Sequence, residues 1–146
     1  MTPLDSDVLA EKTMVVERHL TRVAERLPSE ASGFEPSTDA SDVVILHLWQ
    51  ATQIVIDVAV ALCVELHLGT PASYADAFRR LQGGGKLGES LAGKLVRATG
   101  SLNVLVHAYE DLDMARVFDA ASRGPEDLRR FLAIARDLLA EASSSP

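Results

Sequence analysis

Cysteine is nearly absent from the 146 residues: Cys63 stands alone, and one thiol makes neither an intrachain disulfide nor a CxxC zinc site. Aromatic residues are scarce at 5%. With Ala, Leu, Glu and Arg abundant, the composition favours helices over a β-sandwich, which would draw on Tyr, Thr, Ile and Phe. The opening MTPLDSDVLAEK has no basic flank followed by an apolar run, so a signal peptide is not expected and the cytoplasm is the expected location. Positive charge is in deficit, with 14 Lys+Arg against 21 Asp+Glu and a net charge of −7. That balance disfavours broad non-specific affinity for nucleic acid, although a local basic cleft can sit on an acidic protein. No internal repeat, β-alternation or sustained heptad is present.

What is present is enough apolar sequence, 47%, for one packed domain over residues 1–146. The most apolar stretch, Val43 to Val64, is long enough for a membrane span, but Asp57 near its centre would be costly in lipid. A central buried helix explains it better, and no membrane association is expected. Proline and glycine divide the chain into helices. The first is expected over Asp5–Leu27, with Val16, Leu20, Val23 and Leu27 on one face. A polar loop, Ser29 to Thr38, leads to a second helix capped by Asp39 and Asp42 and ending near Gly69. Pro71 is placed at the start of a short third helix that stops at Gly83-Gly84-Gly85. A fourth helix begins near Leu87, carries Leu91, Leu95, Ala98, Leu102 and Leu105 as a stripe, and reaches about Tyr109. A short segment, MARVFDAAS, follows Asp113, and Gly124-Pro125-Glu126-Asp127 opens a final helix with Leu128, Phe131, Leu132, Ala135, Leu138 and Leu139 in its apolar row. The expected fold is an all-α bundle of four main helices plus one or two short ones.

Two apparent motifs fail on chemistry. GGGKLGES resembles a phosphate loop, but Leu87 follows the lysine where Ser or Thr is needed, and a helix precedes it where a strand should. His19, His47, His67 and His107 are too scattered for metal-ligand spacing, so neither a structural nor a catalytic metal, nor any other cofactor, is expected. Arg18, Arg22 and Arg26 form one stripe at i, i+4, i+8 that could follow an RNA backbone; with Glu17 and Glu25 close by, a solvated face is the simpler reading. Whether His47 and Asp57 join a site or satisfy each other in the core is left open by the sequence.

The informative segment is Gly100 to Asp113, GSLNVLVHAYEDLD, where Asn103 and His107 at i, i+4 share a helix face and Tyr109 follows by two residues. Spacing alone favours a partly buried histidine bonded to Asn103 or Glu110, with Tyr109 as an interface aromatic. The segment also resembles the HepT group of HEPN-domain toxins. Their signature is an arginine, usually followed by a polar residue, then a histidine about five positions on, then any residue and a tyrosine. Asn103, His107 and Tyr109 match the polar residue, the histidine and the tyrosine. QATQIVIDVAVAL at 50–62, LGTPASYADAF at 68–78 and the closing DLRRFLAIARDLL extend the resemblance over essentially the whole chain. One position departs: Leu102 stands where the family carries its arginine. Arg97 is no evident substitute, being ten residues before His107, about 15 Å along a continuous helix.

The resemblance implies a HEPN-type up-and-down bundle and a metal-independent ribonuclease built as a homodimer, with two motifs meeting in one cleft. It implies His107 as general acid or base, with Asn103 beside it as a second catalytic residue, and an RNA substrate. It implies an MntA-like nucleotidyltransferase antitoxin as partner, with Tyr109 as its AMP acceptor. Leu102 points to an alternative, a catalytically degenerate HEPN module that keeps the dimer and the antitoxin interface without ribonuclease activity.

Overall fold

The computed structural model describes residues 3–107 and 113–144, with the backbone alone for Ser101 and for 103–107. Among these residues the chain forms α1 (Ser6–Arg26), a single 3-10 turn (Ala31–Gly33), α2 (Asp39–Glu65), α3 (Tyr74–Gly83), α4 (Glu89–His107) and α5 (Met114–Ser144), with no strand. The expected four long helices are α1, α2, α4 and α5, and α3 is a short one.

Several boundaries differ from expectation. α2 ends at Glu65 rather than near Gly69, because His67 takes φ +59° and the Leu68 N–H bonds back to the Cys63 carbonyl at 2.8 Å, and α4 starts at Glu89 rather than near Leu87. The cap of α2 is Thr38, whose side chain accepts from the Ser41 backbone N–H while Ser41 Oγ accepts from Thr38 N–H; Asp39 and Asp42 lie in the first turn, where their charge complements the helix dipole. Pro71 precedes α3 rather than opening it, because Ser73 accepts from the Asp76 N–H and fixes the start at Tyr74. Most consequentially, the break expected at Gly124-Pro125 is absent, and α5 runs through Pro125 as one helix of 31 residues. Its buried row on both sides of the proline, from Val117 and Ala121 to Leu128, Phe131 and Leu132, outweighs the missing amide hydrogen bond. The Gly83–Gly85 stop is as expected: Gly84 caps α3, and Gly85 takes φ +72°, which a side chain would strain.

The helices alternate in direction. His19 of α1 meets His47 of α2, and Leu95 and Leu102 of α4 share one packed region with Ala120 and Leu128 of α5, within an up-and-down bundle. α2 packs against all four other helices. It is long and apolar enough to cross a membrane by length and composition, yet here Val44, Val55, Val58 and Leu62 are fully enclosed, each such burial contributing about 1.5–3 kcal/mol. Asp57 is exposed. Phe78 of α3 meets Phe131 of α5 edge to face at 5.6 Å, and Cys63 is buried, its thiol 3.4 Å from the Ala77 carbonyl.

The loop between α1 and α2 is packed: Phe34 is buried and its ring lies 6.1 Å from that of Phe118 near the start of α5. The same end of the bundle therefore holds this loop, the start of α2, the end of α4 and the start of α5.

Candidate active site and its surroundings

The site expected from the sequence falls at the C-terminal end of α4. Asn103 and His107 are both helical there. Four residues advance about 400° around an α-helix, so these positions share a face one turn apart. Tyr109 lies outside the described residues.

Leu102 is the position that decides the character of this end. Its side chain is 3% exposed and contributes to the core. It sits with Leu95 and Thr99 of α4 against Leu48 of α2 and Leu128 of α5, around a gap of about 20 Å³. A guanidinium does not fit such a gap without displacing the apolar side chains around it; the one charged group at the gap is Asp127 of α5. Thr99 is buried without penalty because its hydroxyl donates to the Leu95 carbonyl at 2.6 Å. Position 107 lies about 140° around the helix from position 102, so the core face and the face of Asn103 and His107 are distinct.

Arg97 does not take over from Leu102 within the chain. A side-chain carbon at Gly93 would stand 3.2 Å from Arg97 Nη1, so the guanidinium lies back toward the start of α4, as helical side chains tend to. Two turns further along the same side of α4, Gly100 allows the Tyr74 hydroxyl to approach so closely that a side-chain carbon there would stand 2.6 Å from it. Tyr74 is held by α3, which is anchored by Arg80 donating to Asp76 at 2.8 Å and to the Leu68 carbonyl at 2.9 Å. The hydrogen bond from Arg80, then that from the Ala72 N–H, holds the Asp76 carboxyl below its usual range.

The other histidine question is settled by packing. His47 pairs with His19, Nδ1 to Nδ1 at 2.8 Å, rather than with Asp57. Burial first, and then the His47 ring, lowers the His19 pKa. Among the described residues no group of three or more His, Cys, Asp or Glu side chains is arranged to hold a metal ion. The α1 arginine row is exposed as a solvated face, with Arg22 3.8 Å from Glu25.

An open cleft of about 820 Å³ between α4 and α5, lined by Lys94, Arg97, Arg116 and Arg123, was not expected from the sequence. Its signal was the spacing of Arg116 and Arg123, seven residues apart and thus on one face of a helix. The expected break at Pro125 concealed that face by separating it from Glu126 and Asp127.

The family described as ribonuclease HepT-like matches residues 16–134. The mRNA nuclease HepT of Shewanella oneidensis is 26% identical over 127 residues, covering 87% of this chain and 95% of that protein. Among solved structures, a toxin–antitoxin with AMP-PNP superposes with a TM-score of 0.79 at 25% identity, covering 88% of this chain and 98% of that one. The tri-AMPylated Shewanella oneidensis HEPN toxin in complex with MNT antitoxin superposes at 0.78 with 26% identity, covering 88% and 96% of the two chains.

Proposed function

The chain belongs to the ribonuclease HepT-like family, and from that premise we propose that it is the toxin of a toxin–antitoxin pair and cleaves RNA without a metal ion. The observation that carries this reading is the extent of the family match, which runs through Asn103, His107 and Tyr109. Two chains pair as a homodimer and set two α4 ends in one cleft. The RNA 2′-hydroxyl attacks the adjacent phosphorus and the bond to the 5′-oxygen breaks. His107 takes or gives the proton, a task suited to an imidazole whose unperturbed pKa is about 6.5. Asn103 on the same face completes the catalytic pair.

The partner is a nucleotidyltransferase antitoxin of the MntA kind, by analogy with the AMPylated toxin bound to its MNT antitoxin. Tyr109 is the AMP acceptor, and both partners act in the cytoplasm. An adenylate on Tyr109 places a bulky anion beside His107, where it repels an RNA phosphate and occupies its space.

A second reading has an observation of its own. Leu102 is 3% exposed, and a transition-state donor removed from such a site typically costs about 10² to 10³ in rate. On that reading the chain is a catalytically degenerate HEPN module that keeps its dimer and its antitoxin interface. Two assays separate them. Incubation with RNA in EDTA yields a 2′,3′-cyclic phosphate end if the ribonuclease reading holds, and a substrate with 2′-deoxyribose at the cut site stays intact. AMP transfer to the wild-type chain but not to Tyr109→Phe, without RNA cleavage, identifies the degenerate module.

A further inference from the structure

The α4–α5 cleft carries charge that the proposed cleavage site does not use. Lys94 and Arg97 sit three residues apart on the α4 wall, and Arg116 and Arg123 sit seven apart on the α5 wall. Four of the chain's 14 Lys+Arg thus line one cleft together with three carboxylates, Asp119, Glu126 and Asp127, a local excess of one positive charge on a chain whose net charge is −7. Its carboxylates are partly spoken for: Asp119 is 3.0 Å from Arg123, and Asp127 is 4.0 Å from Arg130 outside the cleft. Among the described residues no carboxylate lies within ion-pair distance of Lys94 or Arg97, and Glu126 has no cation within that distance.

The arrangement along the cleft indicates what it holds. Arg116 lies near the start of α5, at the bundle end that His107 occupies. Arg123 follows about 10 Å further down α5, across from the α4 wall that carries Arg97 and Lys94. A row of separated cations in an open groove suits successive phosphates of a strand better than one phosphate group. Position 94 lies about 180° and 140° around α4 from positions 103 and 107, and position 97 about 120° and 80°, so the cleft flanks the cleavage face, with Arg97 on the nearer side, and begins at the same end.

We propose that the α4–α5 cleft is a phosphodiester-binding subsite, in which Lys94 and Arg97 together with Arg116 and Arg123 hold the RNA strand beyond the scissile position. The choice of RNA as ligand rests on the ribonuclease reading; the cleft's affinity is measurable without any cleavage.

The test is equilibrium binding of a fully 2′-O-methylated RNA oligonucleotide, which lacks the attacking hydroxyl, to the full chain from 50 to 200 mM salt. Lys94→Ala with Arg97→Ala, both exposed in the folded chain, lowers the salt slope by about 1.4, or ~0.7 for each phosphate of a single strand that is no longer neutralised, and weakens binding about tenfold. Glu126→Gln tightens binding, an opposite response that misfolding does not imitate. Arg18→Ala with Arg22→Ala, on the solvated α1 face, leaves the slope unchanged. The proposal is overturned by no binding of the oligonucleotide to the wild-type chain, by an unchanged slope in the Lys94/Arg97 variant, or by an equal weakening in the α1 variant. Saturable AMP binding that depends on Lys94 and Arg97 while the RNA slope does not would assign the cleft to a mononucleotide and overturn it too. Binding with the expected slopes but no cleavage of natural RNA supports the cleft and sinks the ribonuclease reading instead.

Discussion

Arg97 lies back over Gly93, its Nη1 3.2 Å from where a side-chain carbon at Gly93 would stand, and this carries its charge away from Leu102. The neighbour such a carbon would meet is the far end of a flexible side chain. Gly93→Ala is therefore expected to stabilise α4 by about 0.5–1 kcal/mol, the usual gain for alanine over glycine in a helix interior. Gly100→Ala is expected to fall short of that gain because Tyr74 Oη would stand 2.6 Å from the new carbon. Adding Tyr74→Phe to Gly100→Ala should restore the difference, which denaturant midpoints for the three variants and the double variant will measure.

The core role of Leu102 predicts the response to its replacement. Leu102→Ala should destabilise the chain by about 2–5 kcal/mol, the range for deleting a buried leucine side chain. Leu102→Arg should also lower the thermal midpoint, since the gap around Leu102 is about 20 Å³ and a guanidinium reaches Asp127 at its rim only by displacing packed apolar side chains. A Leu102→Arg chain as stable as the wild type would show that this side chain has a route to solvent.

Pro125 interrupts the hydrogen bonding of α5 without ending it. Proline donates no amide hydrogen, so the Ala121 carbonyl lacks its usual helical donor. Pro125→Ala is expected to raise stability, by up to about 3 kcal/mol, with circular dichroism unchanged in shape. A decrease in stability would mean that the proline ring contributes packing that exceeds the hydrogen bond it forfeits.

The His19–His47 pair predicts a pH dependence. At 2.8 Å between two Nδ1 atoms, one ring donates and the other accepts, an arrangement that fails when both are protonated. Burial, then the His47 ring, places His19 below its ordinary value of 6.5 in the folded chain. As pH falls through about 6.5 the unfolded chain therefore binds the proton first, and stability drops until the folded form takes it up as well. Thermal midpoints between pH 7.5 and 5.5 should fall in the wild type and fall less in His19→Gln. Equal slopes would remove the pair as the cause.

The ends of α1, the glycine stop of α3, the apolar row of α5 and that of α4 through Leu91, Leu95 and Leu102 were legible in the sequence because they depend on neighbours three or four residues away; Ala98 turns to the open cleft, and the side chain of Leu105 lies outside those described. What escaped depended on choices between local signals or on distant partners. Pro125 carries every mark of a helix start, and only the buried row continuing on both sides of it overrides that signal. Thr38 and Asp39 are both plausible caps for α2, and the reciprocal bond with Ser41 selects Thr38. The partner of His47 is 28 residues away on another helix, beyond the reach of periodicity. The α4 end was legible as a candidate site because its residue types and spacing resemble a family pattern. The α4–α5 cleft was not, because it exists only once α5 is continuous.

The central claim is that His107 cleaves RNA, and the most direct measurement is cleavage of a mixed RNA in EDTA by the purified wild-type chain beside His107→Ala. The wild type is expected to cleave and His107→Ala to leave the RNA intact, while both chains show the same helical spectrum and thermal midpoint. Intact RNA in both, or equal cleavage by both, would contradict the claim.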